Sequence, residues 1–272
     1  MSGADFTSIS AKYDQRGIVQ RAASERLFDL LGVRGGDNVL DLGCGTGSLT
    51  KRIRGMTTGR VVGLDPAEGM IEKAKAACQG EDIEFVTGRA DQMSYDSEFE
   101  LIFCNSTFQW FKDPAPALAG CLRALRPGGR MGIQAPATSR YCPQFVEAVS
   151  LVASAPQTKD IYARFSHPWF FLEDTESYRR LFENAGFAVK FAALEKTVTI
   201  NSGQEVMGIF ESGAAAGYLN PACYGGALDD GYIQDFRRIV RGHFNQLAAA
   251  GNGKLELEFT RIYLVAAKPA GE

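Results

Sequence analysis

The chain has little histidine, two residues in 272, and its six cysteines, at 44, 78, 104, 121, 142 and 223, contain no C-x-x-C pair. These shortages leave no zinc-ligand spacing and no disulfide framework, so no metal is expected and the thiols are expected to be reduced and mostly buried. Neither sign of charge is in excess. Against 29 Lys and Arg stand 32 Asp and Glu, a formal net charge of −3, which supplies no field to hold nucleic acid or an anionic membrane. No apolar run approaches the ~20 residues that span a bilayer, and residues 1–10 lack the basic and apolar regions of a secretion signal. The expectation is a cytoplasmic protein with a small-molecule partner, as monomer or homodimer. Internal repeats, low-complexity segments and Pro-rich or Ser-rich linkers are also missing. One elaborated α/β domain is therefore expected over 1–272, a length that buries a large core.

What the chain does have is glycine in one place. The run Val39-Leu40-Asp41-Leu42-Gly43-Cys44-Gly45-Thr46-Gly47 passes from apolar residues into three closely spaced glycines, just before a helical pattern from Ser48 to Arg54. Strand, tight turn and helix follow, with backbone N–H groups open to a nucleotide-like ligand at the helix start. The dinucleotide fingerprint fits imperfectly, because Ser48 stands where its third glycine falls. Asp41 on the ligand side would repel a pyrophosphate and suits a cation such as a methionyl ammonium. A second run, Arg60-Val61-Val62-Gly63-Leu64-Asp65, ends in an acid 18 residues after Gly47, where a carboxylate takes ribose hydroxyls.

Through VLDLGCGTG and VVGLDPAEGM the chain resembles the class I S-adenosylmethionine-dependent methyltransferases over roughly residues 13 to 135. The resemblance implies S-adenosyl-L-methionine as cofactor and S-adenosyl-L-homocysteine as product. It implies cofactor contacts at Asp41, Gly43, Cys44, Gly45 and Gly47, and at Asp65, Pro66 and Met70. In Gly88-Arg89-Ala90-Asp91 it places Asp91 as acceptor for the adenine amine and the backbone near Ala90 against a ring nitrogen. The segment Asn105-Ser106-Thr107-Phe108-Gln109-Trp110 resembles the post-strand motif of trans-aconitate and malonyl-carrier-protein O-methyltransferases. That likeness implies that the Asn105 carbonyl meets the methionyl amine, while Gln109 and Trp110 face the transferred methyl. Residues 11–20 resemble the N-terminal lid of the carrier-protein enzymes, which adds Tyr13 as a third catalytic candidate. For Tyr13 and Trp110 the alternative is an aromatic side chain packed into the core.

Periodicity supplies the rest. Helices are expected over Gln15–Leu31, Ala67–Cys78 and Pro114–Leu125, and strands at Ile83–Val86, Phe99–Cys104 and Arg130–Ala135. Five strands alternating with helices specify a parallel sheet with its ligand crevice at the carboxyl ends. Two further strands, Val189–Ile200 and Leu255–Ala267, are separated by helical stretches near 204–217 and 232–250. The expected fold is α/β: a seven-stranded, doubly wound, Rossmann-like methyltransferase sheet with an N-terminal helical lid and a helical cap inserted between the last strands. The core is expected at about 33–136, 174–200 and 254–268, with lid and cap segments at about 1–32, 137–173 and 201–253.

Methyl transfer from a sulfonium is an in-line displacement that needs alignment and exclusion of water more than catalytic side chains. A carboxylate or thiolate is already ionised and needs no base, and the scarcity of histidine favours such an acceptor. The expected acceptor is a small-molecule carboxylate, giving a methyl ester, or an acyl-carrier-protein thioester of the resembled type. Arg140, Arg164, His167 and the Trp169 N–H are the candidates to hold it. The alternatives are thiol, arsenical, C- or N-methylation, with Cys142 and Cys223 in play, and a nicotinamide oxidoreductase on the same fold.

Overall fold

The computed structural model describes residues 18–271. Helix α1 (Ile18–Leu31) precedes β1 (Val39–Leu42), and then α2 (Ser48–Arg54), β2 (Val61–Asp65), α3 (Glu68–Ala77), β3 (Glu84–Thr87), β4 (Phe99–Asn105), a 3-10 turn at Phe108–Trp110, α4 (Pro114–Ala124) and β5 (Leu125–Pro136) follow. Every residue of β1 and β2 is buried, the pattern of strands covered on both faces. At the sheet edge β3 buries only Phe85 fully. Helix α4 starts where Asp113 accepts from the Ala115 N–H at 3.2 Å and Pro114 takes the first turn, both favourable at a helix N-terminus.

The second half comprises α5 (Pro143–Ser154), α6 (Lys159–Tyr162), α7 (Thr175–Asn184), β6 (Ala188–Asn201), α8 (Gly203–Ser212), α9 (Ala215–Tyr218), a 3-10 turn at Pro221–Tyr224, α10 (Asp230–Ala250) and β7 (Leu255–Ala267). The seven strands form one sheet in the order β3-β2-β1-β4-β5-β7-β6. Strands β1 to β5 pair in parallel, and β7 runs antiparallel to β5 with Gln134 opposite Tyr263. This is the expected α/β sheet, with the helical insertion between its last two strands.

The described residues fall into two compact units. The sheet unit comprises Gln20–Ser139, Phe170–Glu195 and the residues from Arg261 on. One of its cores holds Leu40, Ile102, Phe108, Ile133, Phe182 and Leu264, and another holds Leu27, Phe28, Leu31, Val39, Phe103 and Val265 on the α1 side. Helix α1, expected within a lid, packs on the sheet: Phe28 stacks on Phe103 at 4.5 Å and the Arg130 guanidinium donates to the Leu31 carbonyl at 2.8 Å. The spacing of its apolar residues gives α1 a buried stripe. Its last turn thus sits beside Arg130, at the amino end of the stretch of β5 that pairs with β4.

The helical unit comprises Arg140–Trp169 and Lys196–Thr260. Its centre is aromatic. Phe145 meets Phe210, Phe244 and Phe259 at 5.1, 5.7 and 5.5 Å between ring centroids. Helix α10 contributes Tyr232, Phe236, Val240, Phe244 and Ala248, every fourth residue along one buried stripe. The helical stretch expected near 204–217 is two helices, because the chain leaves helical geometry at Gly213, with φ −137° and ψ −73°. No helix among the described residues is long and apolar enough to cross a membrane.

Candidate functional site

The glycines of the loop after β1 have separate reasons to be glycine. Gly43 (φ 77°) turns the chain against the segment after β4, and a Cβ there would overlap the Thr107 side chain, lying 2.7 Å from its Cβ. Gly45 (φ 53°) also needs left-handed geometry, but a Cβ on it would meet no protein atom within 4 Å. That open side is the room a ligand needs to approach the loop backbone. At Gly47 the constraint is packing, since a Cβ would come within 3.0 Å of Ala74 and Phe85. Cys44 is buried beside Gly63, and burial pushes its thiol pKa up.

Two carboxylates flank the loop. Asp41, buried at the end of β1, accepts from the Thr50 hydroxyl at 2.6 Å. Loss of hydration raises its pKa to about 7, the Thr50 bond opposes that rise and the charge of Asp65 adds to it. Such a group becomes an anion readily when a cation arrives. Asp65, at the end of β2, accepts from the N–H groups of Gly45 at 3.0 Å and Ala67 at 2.9 Å, one on each oxygen. Each oxygen keeps a second acceptor position, so a diol can still be bound. Burial raises the Asp65 pKa, and its two backbone bonds oppose the rise. Pro66 is exposed beside it, while Met70 and Ala90 are buried. Asp91 pairs with the Arg89 guanidinium at 2.9 and 2.8 Å, which holds its pKa below the usual range.

After β4 the chain makes a polar knot. Ser106 takes φ 54°, uncommon for a residue with a side chain. Its N–H donates to the Gln134 carbonyl at 2.7 Å, its hydroxyl donates to Gln134 Oε1 at 3.0 Å and its carbonyl accepts from Gln109 Nε2 at 2.9 Å. Three buried amide atoms of this knot have no hydrogen-bond partner: Asn105 Oδ1, Gln109 Oε1 and Gln134 Nε2. The structure thus brings the candidates Asn105 and Gln109 together, and it adds Gln134. Trp110 closes the 3-10 turn half-buried, with Phe108 of the same turn fully in the core.

Of the other candidates, Tyr13 lies outside the described residues. Arg140 is exposed and 3.9 Å from Glu147. The His167 imidazole bonds the Trp169 carbonyl at 3.1 Å and packs edge-on to the Trp169 ring at 4.9 Å; loss of hydration lowers its pKa. The Trp169 ring seats on Gly217, where a Cβ would come 2.7 Å from Cη2, and meets Tyr218 at 4.8 Å. These three residues belong to the helical unit, and the cofactor candidates belong to the sheet unit. All six cysteines are buried thiols. Among the described residues, no group of three His, Cys, Asp or Glu side chains gathers where it could hold a metal.

Sequence reading missed Thr50, Thr107, Gln134 and Arg261. For Gln134 a signal existed, a lone amide in the apolar run Met131-Gly132-Ile133-Gln134-Ala135. Arg261 is buried where β7 enters the sheet unit.

Residues 40–133 match the family model described as a methyltransferase domain. Over 264 residues the chain is 28% identical to the trans-aconitate 2-methyltransferase of Deinococcus radiodurans, covering 95% of this chain and 97% of the relative. It is 30% identical over 127 residues to the malonyl-[acyl-carrier protein] O-methyltransferase of Acetivibrio thermocellus, a match that spans 46% of this chain and only 45% of that relative. Among solved structures, a methyltransferase in complex with the Haloferax volcanii Trm112 methyltransferase activator superposes with a TM-score of 0.62 at 18% identity, covering 99% of this chain and 100% of the other. That likeness concerns the fold alone.

Proposed function

We propose, for a chain that belongs to the class I S-adenosylmethionine-dependent methyltransferases, that it methylates a carboxylate of a small acid to give a methyl ester. The observation that carries the cofactor half is the open side of Gly45 next to the Asp65 carboxylate. Asp65 is suited to the ribose hydroxyls, Asp41 to the methionyl ammonium and the unpartnered Asn105 Oδ1 to an N–H of the same group. Bound there, the cofactor supplies a methyl on a sulfonium. A carboxylate acceptor would take that methyl with its own electron pair as the C–S bond broke, so that cation and anion would both become neutral and no side chain would need to move a proton.

Chemistry of that kind asks the protein to align and to exclude water. The described residues of the sheet unit contain no histidine, and the groups left unsatisfied after β4 are neutral amides. Such a lining orients an acceptor that is already ionised and offers no imidazole to deprotonate an alcohol or amine. The near full-length likeness to a trans-aconitate 2-methyltransferase supports the same acceptor class.

The test is incubation with methyl-labelled S-adenosylmethionine and a panel of dicarboxylic acids, fatty acids, carrier-protein thioesters, thiols and arsenite. Label that mild base releases from a small product supports the methyl ester. Base-stable label on sulfur, nitrogen, carbon or arsenic overturns it. Label that migrates with carrier protein moves the acceptor to a protein-bound acid.

A further inference from the structure

Strand register arranges the polar residues in rows. On the α1 side of the sheet, Asp41, Phe103, Gly132 and Val265 lie side by side in one row, and Asn105, Gln134 and Tyr263 form the next row toward the carboxyl ends of the parallel strands. One step further out, Pro136 faces Arg261. Alternation of side chains puts Gln134 and Arg261 on the same face as diagonal neighbours. The α1 side is identified by Leu31, which a Cβ on Gly132 would approach to 2.7 Å.

Gln134 is 0% exposed, and its amide orientation follows from its neighbours. The Ser106 hydroxyl takes an N–H from Asn105 Nδ2 at 3.5 Å and gives its own hydrogen to Gln134 Oε1 at 3.0 Å. Nε2 of Gln134 is therefore the end left over, with both N–H groups unused. Likewise the Ser106 carbonyl requires the N–H end of Gln109, so the Gln109 atom left over is the acceptor Oε1. Buried polar groups are almost always paired, and leaving one unpaired is costly. The unused atoms are thus of two kinds: acceptors on Asn105, whose strand pairs with β1, and on Gln109 of the turn that follows, and a donor on Gln134, whose strand pairs with β7 where Arg261 lies one step further out.

We propose that Gln134 Nε2, with Arg261 beside it, is the subsite for the acceptor's carboxylate, and that Asn105 Oδ1 and Gln109 Oε1 face the cationic end of the cofactor. A donor and a cation suit an anion, and two carbonyl oxygens suit an ammonium or sulfonium. The guanidinium carries five N–H donors and serves more than one oxygen. This assignment rests on the carboxylate reading above and names the residues that would select it. Gln134 holds Ser106 as well, so its role must be separated from that of a clamp.

The experiment is calorimetric. S-adenosylhomocysteine is titrated into wild type, Gln134→Glu, Gln134→Met and Arg261→Lys, and then acetate, succinate, trans-aconitate and decanoate are titrated into each protein saturated with S-adenosylhomocysteine. At least one of these acids binds wild type. For that acid Gln134→Glu weakens binding about tenfold or more by placing a carboxylate against it, and Gln134→Met weakens it about fivefold by removing the donor. Arg261→Lys, which keeps the charge, has the smallest effect. Binding of the neutral methyl ester falls less than that of the acid in Gln134→Glu, and S-adenosylhomocysteine affinity stays within about twofold throughout. Carboxylate affinity unchanged in both Gln134 variants overturns the subsite, as does equal loss of S-adenosylhomocysteine, which would make Gln134 a structural clamp. Wild type that binds S-adenosylhomocysteine and none of the four acids overturns the subsite while leaving methyl transfer standing. Wild type that does not bind S-adenosylhomocysteine removes both readings.

Discussion

Thr107 fills the space that a side chain on Gly43 would need. The loop after β1 and the segment after β4 therefore meet without a gap, and the Thr107 hydroxyl lies 3.1 Å from the Asn105 carbonyl. The glycine loop and the Asn105 end of β4 thus form one packed corner of the sheet unit. Gly43→Ala combines this overlap with a φ of 77°, and it should cost about 2–4 kcal/mol of stability in denaturant unfolding. Gly45→Ala, strained but unobstructed, should cost about 1 kcal/mol. If the two variants unfold alike, the Thr107 contact is not what constrains Gly43.

Enlarging the side chain at Gly45 isolates the ligand's share of that corner. Gly45→Val should abolish detectable S-adenosylhomocysteine binding in calorimetry, because its side chain enters the open space. Tight binding by the variant would show that the loop is merely a turn.

Asp65→Ala should weaken S-adenosylhomocysteine binding by about 1–3 kcal/mol, through loss of an acceptor for two hydroxyls. The same change removes acceptors from the Gly45 and Ala67 N–H groups. The loss should therefore show in a lowered unfolding temperature without ligand as well. Unchanged affinity would exclude Asp65 from the site.

Burial raises the Asp41 pKa from 3.8 to about 7, so between those values the folded chain holds a proton that the unfolded chain has lost. Stability from this group is greatest at low pH and falls by about 1.4 kcal/mol per pH unit up to about pH 7, above which it is level. Asp65, raised in the same direction, adds a slope of the same sign. Asp41→Asn should flatten the decline measured by urea unfolding from pH 4 to 8. In wild type at pH 6, a cation bound beside Asp41 should expel its proton, seen as a binding heat that depends on the buffer's ionisation enthalpy.

All six thiols are buried, and burial raises the pKa of Cys44, Cys78, Cys104 and Cys121. A thiol reagent such as 5,5′-dithiobis(2-nitrobenzoate) should label the native chain at under about a tenth of its rate on the unfolded chain. Rapid labelling of Cys142 or Cys223 in the native protein would return a thiol to the list of acceptor-site groups.

The strands and the first half of the sheet were legible because their apolar runs are continuous and end in glycine or acid, as Val61–Asp65 does. Asp41, Asp65 and the glycines were legible because local spacing alone places them at a strand end. Gln134 and Arg261 were not, since what singles them out is their register across β5 and β7, more than a hundred residues apart in sequence. The Arg89 pairing of Asp91 was missed although the two are only two positions apart, because so short a spacing does not say which way a side chain turns. Ser106 gives no sign in sequence of its positive φ, which two glutamine contacts impose.

Strand β7, made after β6, is inserted between β5 and β6. On a ribosome, β6 therefore emerges with its place in the sheet undefined, because the strand it must pair with has not been synthesised. Until residues 255–267 arrive, β5 exposes an unpaired edge, the row that holds Gln134 lacks Tyr263 and the next lacks Arg261. A nascent chain halted before that point would carry the complete glycine loop while the proposed acceptor subsite still lacked β7, so the two should mature at different times during translation.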